Sequence, residues 1–182
     1  MKVILVFGTV RKNKNSAFSL LELIVVVAIM GLMAAIIVPN LQIFKKRQAD
    51  KEFIVSLNYI SKLASDNAAN SGKLHRVVFD FDNANIFVEQ QDGDKFVRYE
   101  SDNLTNTGTF EAIEIINIFI NGSDEMQLKS GESKKNTVWY FIVPNGLTQE
   151  VIINYDVGQA QKNLIIDPFS ALFKGGNGYK IP

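Results

Sequence analysis

A single glutamate inside an apolar run near the N-terminus constrains this chain more than any other feature. From Phe18 to Val38 every residue except Ser19 and Glu22 is apolar or glycine. These 21 residues would span about 31 Å as a helix, close to the ~30 Å of a bilayer's hydrocarbon core. Thirteen are Leu, Ile, Val or Phe, each favouring insertion by roughly 0.3–0.6 kcal/mol. Against them one carboxylate costs roughly 2.5–3.5 kcal/mol at mid-membrane, and less near the edge where Glu22 stands. Insertion wins, but Glu22 needs a partner. A plain single-pass anchor has no use for it. A secretory signal peptide fits less well, because the run is long and shows no small-x-small cleavage site near its end.

Four basic residues precede the run (Lys2, Arg11, Lys12, Lys14) and four follow it (Lys45, Lys46, Arg47, Lys51), so charge alone leaves its orientation open. The remaining length allows one compact domain. The 19 basic and 19 acidic residues cancel overall, yet the first 17 residues hold four cations and no acid. Without them the chain carries 15 basic and 19 acidic residues, a net −4. No strongly basic surface results, and nucleic-acid binding gains no support. The C-terminal tail offers only Lys162, Lys174 and Lys180. Cysteine is absent, so a domain outside the cytoplasm has no disulfide and relies on its core.

Beyond Pro39, which removes a backbone donor and marks a kink or loose point together with Gly31, the pattern turns amphipathic. Phe53, Leu57, Ile60 and Ala64, joined by Ile54 and Leu63, recur at spacings of three and four, with Lys51, Glu52, Ser56, Asn58, Lys62 and Asp66 filling most of the rest. One helix is therefore predicted from about Phe18 to Asn70, ending at Ser71-Gly72. Strands follow at 74–81, 85–90, 96–100, 111–120, 137–143, 150–154 and 164–166, rich in Val, Ile, Phe and Tyr. Asp82-Asn83, Asp92-Gly93 and Asn145-Gly146 read as turns, the last favouring a hairpin between its flanking strands. Residues 129–136 read as an exposed loop. The fold class is α+β: a long N-terminal helix, half transmembrane and half amphipathic, packed on an antiparallel β-sheet domain.

Little in that domain suggests chemistry. His75 is the only histidine, and without cysteine it forms no His/Cys metal site; a structural or solvated role has the better claim. Asp80 and Asp82 alternate with Phe79 and Phe81, which places both carboxylates on one strand face. Calcium, an acid/base pair or a plain polar face would each account for them. Asp92-Gly93-Asp94 lacks the ligand ladder of a calcium loop and reads as a turn. Gly175-Gly176 lacks a P-loop frame, and no serine has a nucleophile-elbow context. No catalytic residue, metal or cofactor is expected.

The N-terminal pattern resembles type IV prepilins and type II secretion pseudopilins. The residues that carry it are the basic leader Arg11-Lys12-Asn13-Lys14-Asn15-Ser16-Ala17, then Phe18, Glu22 and Pro39. In that family a leader ends at a small residue, normally glycine where this chain has Ala17. A phenylalanine then opens the mature chain, a glutamate follows four residues later, and a proline interrupts the hydrophobic helix. The C-terminal half resembles the H-type minor pseudopilins and related minor pilins through Trp139-Tyr140-Phe141-Ile142-Val143-Pro144-Asn145-Gly146, Val151-Ile152-Ile153 and Leu164-Ile165-Ile166-Asp167-Pro168.

The resemblance implies a pilin-like structural subunit, not an enzyme. It implies a leader over residues 1–17, a transmembrane and filament-core helix over 18–39, an amphipathic continuation over 40–72 and a periplasmic β-rich domain over 73–182. It implies cleavage by a prepilin peptidase between Ala17 and Phe18, followed by N-methylation of Phe18. The implied residence is the bacterial inner membrane, N-terminus cytoplasmic, before incorporation into a pseudopilus or pilus. Implied partners are other pilins or pseudopilins and the inner-membrane assembly platform, with assembly resting on Glu22, Gly31 and Pro39. Glu22 would neutralise the Phe18 amine of a neighbour, since two buried charges are tolerable only together. A minor type IV pilin for adhesion, motility or DNA uptake stays open, as does a membrane-anchored periplasmic enzyme or ligand-binding domain.

Overall fold

A computed structural model describes residues 19–99, 107–128 and 136–182, with backbone alone for 36–43. It divides into two compact units, Met1–Gln42 and Ile43–Pro182, each treated by itself below.

Helix α1 (Leu20–Ser71) extends through both the apolar and the amphipathic sequence and through Pro39. Its start is set by Ser19 and Glu22. The Glu22 amide donates to Ser19 Oγ at 3.2 Å, and the Ser19 amide donates to Glu22 Oε2 at 3.3 Å. This is a capping box, in which side chain and amide of the two residues bond reciprocally; the Glu22 amide also reaches Ser19 O at 3.0 Å. Its end is set by Gly72, whose φ of 66° suits the left-handed position after a helix and whose amide reaches Ala68 O at 3.0 Å.

Among the described residues of the second unit, ten strands and one short helix follow: β1 (His75–Asp80), β2 (Asn85–Asp92), β3 (Lys95–Arg98), β4 (Thr107–Thr109), β5 (Glu114–Ile120), β6 (Ser123–Asp124), α2 (Glu125–Leu128), β7 (Thr137–Ile142), β8 (Val151–Val157), β9 (Ala160–Asp167) and β10 (Leu172–Asn177). They form two five-stranded sheets, entirely antiparallel. The first runs β3-β2-β1-β7 with β4 also beside β2; the second runs β10-β9-β8-β5-β6.

One core joins α1 to both sheets. Phe53, Leu57, Ile60 and Ala64 are all at most 1% exposed, which bears out the expected stripe. They meet Val77, Phe79 and Tyr140 from the first sheet and Ile153, Tyr155 and Leu164 from the second. Phe53 packs edge-on to Tyr155 at 5.3 Å, and Tyr140 edge-on to Phe173 at 6.2 Å, which links the two sheets. In β7 burial alternates in the half-buried manner, with Val138, Tyr140 and Ile142 inward. On the outer side Arg76 is stacked between Phe96 (4.3 Å) and Trp139 (4.8 Å) and pairs with Glu89 at 2.6 Å. Strand β8 is buried on both faces except at Asp156, because the C-terminal tail covers its second face. Asn154 donates to Lys180 O and accepts from the Lys180 amide, both at 2.9 Å, and Tyr179 donates to Asp156 at 2.7 Å.

Two expectations change. Gly146 sits in a tight turn, with φ 81° and its amide on Val143 O at 2.8 Å, but the strands around it do not form a hairpin. β7 pairs with β1 and β8 with β5 and β9, leaving one bridge, Ile142 to Thr148, between the two runs. The turn carries the chain from one sheet to the other. Asp80 and Asp82 also do not share a strand face: β1 ends at Asp80, and Asp82 lies in the following turn. Of the loop expected at 129–136, only Asn136 is described.

Candidate functional site

The first unit holds the residues expected to serve assembly. Leu20 (80%), Leu21 (73%), Met30 (64%) and Leu32 (69%) are exposed, as is every other described side chain from Ser19 to Ala35. Among the described residues no helix is long and apolar enough to cross a membrane. The expected span of residues 18–38 lies partly outside them, at Phe18 and at the side chains of 36–38. Ala17, Phe18 and the Pro39 ring likewise lie outside the described residues. Gly31 has open space around it: an added Cβ would meet nothing within 4 Å. Glu22 has a partner within its own chain, the Ser19 amide. The Ser-x-x-Glu spacing is the sequence signal for that contact.

In the second unit a row of polar contacts, spaced along the same helix, fixes how α1 lies on the sheets. Buried Asp50 accepts from Tyr155 Oη at 2.9 Å and from the Lys162 ammonium. Asn58 bonds the Phe173 backbone twice, donating at 3.3 Å and accepting at 2.6 Å. Ser61 and Tyr140 hydroxyls meet at 2.5 Å, and Ser65 Oγ donates to Gly146 O at 2.8 Å. Burial, offset only in part by the Ser61 hydrogen bond, leaves the Tyr140 hydroxyl well above its ordinary pKa. Burial first, then the Asp50 hydrogen bond and charge, do the same for Tyr155. These groups act as neutral hydrogen-bonding struts. Sequence reasoning found the apolar stripe and missed the struts, whose partners lie 79 to 115 residues away.

The remaining candidates resolve into structural roles. Asp80 accepts from the Asp82 amide (3.0 Å), the Asn83 amide (3.4 Å) and Asn83 Nδ2 (2.7 Å), while Asp82 accepts from Asn136. Chiefly the Asn83 side chain holds the Asp80 carboxyl below its usual range. Both carboxylates thus organise one turn. Asp92 pairs with Lys73 at 3.6 Å, and Gly93, at φ 60°, turns β2 into β3. Among the described residues no cluster of three His, Cys, Asp or Glu side chains could hold a metal ion. His75 is fully buried, with Nδ1 2.9 Å from Lys73 O, its ring edge-on to Tyr99, and burial lowering its pKa. Gly175 and Gly176 lie in β10; a Cβ at Gly176 would come within 2.8 Å of the Asn163 side chain, which donates to Gly178 O at 2.7 Å. Of the tail lysines, Lys162 holds Asp50 and Lys174 pairs with Asp167 at 3.8 Å.

Residues 12–38 match the prokaryotic N-terminal methylation motif. No curated protein matches the chain. A structure of the minor pseudopilin EpsH from the type 2 secretion system of Vibrio cholerae is similar with a TM-score of 0.52 at 15% identity, over 74% of this chain and 99% of that one. A second EpsH structure from the same organism's type II secretion system gives 0.48 at 16% identity, over 73% and 98%. The chain joins a prokaryotic N-terminal methylation motif to an α+β fold similar to that of the minor pseudopilin EpsH.

Proposed function

We propose that this chain is a structural subunit of a type II secretion pseudopilus, an H-like minor pseudopilin that supports protein export. The observation that carries the reading is the methylation motif over residues 12–38, overlapping a helical stretch whose described side chains from Leu20 to Ala35 are apolar except Glu22 and all exposed. An apolar helix surface of that extent requires lipid or neighbouring helices around it. In this reading the chain waits in the bacterial inner membrane, crossing it once through residues 18–38, with its N-terminus cytoplasmic and its β-domain periplasmic. Prepilin peptidase cuts between Ala17 and Phe18, and the new Phe18 amine is methylated. Glu22 then exchanges its Ser19 amide for the Phe18 amine of a neighbour, which fixes the axial stagger of the subunits. Gly31 and Pro39 supply flexibility during extraction by the assembly platform. No residue is assigned a catalytic role.

Intact-mass measurement of the protein from membranes with and without prepilin peptidase tests the processing. A chain starting at Phe18 with one added methyl, seen only with the peptidase, is expected. A Met1 start in both strains would overturn the proposal and leave a plain anchor. A deletion strain separates the two filament readings: lost exoprotein secretion supports the pseudopilin, whereas lost surface pili or transformation points to a minor type IV pilin.

A further inference from the structure

The second unit contains a cationic cleft that the assembly reading does not use. Lys46, Arg47 and Asp50 of α1 face Gln159, Ala160 and Lys162 around the β8–β9 turn, across an open cleft of about 580 Å³. That volume lies within the ~300–1,000 Å³ typical of small-molecule sites. Three of the lining side chains are cations and one is a carboxylate. Asp50 is already engaged on both oxygens, by Tyr155 on one and Lys162 on the other. Neither Lys46 nor Arg47 has an ion pair among the described residues. The lysine lies close against the turn. A Cβ on Gly158, which has φ +68°, would come within 2.7 Å of Lys46 Nζ and 2.8 Å of its Cδ. The positive φ itself favours glycine at 158, and the space beside it is taken by the flexible end of Lys46. Exposed Lys45 and Lys51 add positive charge on the same helix.

We infer that this cleft binds a phosphate group. The planar fork of Arg47 and the mobile ammonium of Lys46 are the two donor types best suited to phosphate oxygens. Unneutralised cations in a concave site concentrate anions there. Lys46 follows Val38 by eight residues, so an anionic lipid headgroup is one source and free phosphate the other. Only the lipid source depends on the membrane reading given above; the site itself does not.

The test uses the full chain in a neutral maltoside detergent at constant ionic strength. It is titrated separately with dihexanoyl phosphatidylglycerol and with inorganic phosphate. Hydrogen–deuterium exchange is followed in peptides covering residues 44–51 and 155–163. Saturable protection of both peptides is expected. The double variant Lys46→Gln/Arg47→Gln should raise the apparent Kd by about 30-fold, from roughly 1 kcal/mol per cation. Protection by the lipid alone assigns the headgroup; protection by both ligands assigns phosphate in general. Protection by neither overturns the site and leaves the cations free for a neighbouring subunit's carboxylate. An unchanged Kd in the double variant also overturns it. Unliganded exchange of the β8–β9 peptide shows whether the variant is folded, and Lys46→Met provides a milder second variant. Processing at Ala17 is a separate readout, so a failure here leaves the pseudopilin assignment standing, and the reverse.

Discussion

Glu22 and Asp50 are two carboxylates on one helix, placed in opposite circumstances. Glu22 stands among exposed apolar side chains, and its partner in the structure is the backbone amide of Ser19 in its own chain. Asp50 is buried and held by two side chains from β8 and β9, more than a hundred residues away. One is satisfied locally and stays available; the other is committed to the fold. In the proposed function, the difference separates what the helix would offer to neighbours from what it uses to hold its own domain.

The largest effect is expected from Glu22→Ala. Crosslinked or sheared filaments should lose the variant almost entirely, while its amount in membranes and its melting temperature stay at wild-type levels. Normal incorporation would remove the contrast between the two carboxylates. Next comes Asp50→Ala, which leaves Lys162 and the Tyr155 hydroxyl without their shared acceptor. A loss of about 3 kcal/mol in urea unfolding is expected, with insertion into the membrane unaffected. A loss below about 1 kcal/mol would reduce Asp50 to the level of a surface pair. Gly108→Ala should cost about 1–3 kcal/mol, because an added Cβ would lie 2.1 Å from Ser56 Oγ and 3.0 Å from Ile60 Cδ1 on the buried side of α1. The comparable change at Gly31, which has open space around it, should leave the isolated subunit's stability unaltered and so localises the packing constraint to the second unit.

The smallest effect concerns pH. Burial lowers the His75 pKa from 6.5, so the unfolded chain binds the proton more readily than the folded one. Its contribution to stability is complete above about pH 6.5, declines as pH falls below that value, and levels off below the lowered native pKa. Urea midpoints at pH 7.5 and 5.5 should differ more in the wild type than in His75→Gln. Equal differences would show that other groups set the acid side.

Much of this architecture is legible in the sequence. The apolar stripe Phe53/Leu57/Ile60/Ala64 gives the face of α1, Gly72 gives its end, and alternation gives β1, β2 and β7 nearly to the residue. The Asn145-Gly146 pair specifies a turn but not what the turn connects, because local chemistry fixes backbone shape and only burial of Ile142 and Val151 decides the sheet. β10 is hidden by Gly175-Gly176, residues that strands ordinarily avoid; the space they leave is filled by Asn163 from the neighbouring strand. β4 and β6, at three and two residues, are too short to show a period. The struts at Asp50, Asn58, Ser61 and Ser65 look like ordinary solvent-side residues, since nothing local marks a polar side chain whose partner is distant in sequence. At the proposed assembly site the pattern of Phe18, Glu22 and Pro39 is visible as a motif, whereas the capping contact needs Ser19 to be read together with Glu22.

Trp139, stacked on Arg76 at the outer side of the first sheet, is the chain's single tryptophan. Its fluorescence therefore watches one sheet, and the second sheet and the N-terminal helix remain dark to it. A thermal transition seen by tryptophan emission and one seen by far-ultraviolet circular dichroism sample different parts of the molecule. Their coincidence would show that the Tyr140–Phe173 contact and the shared α1 make the two sheets melt as one body; their separation would give each sheet its own transition.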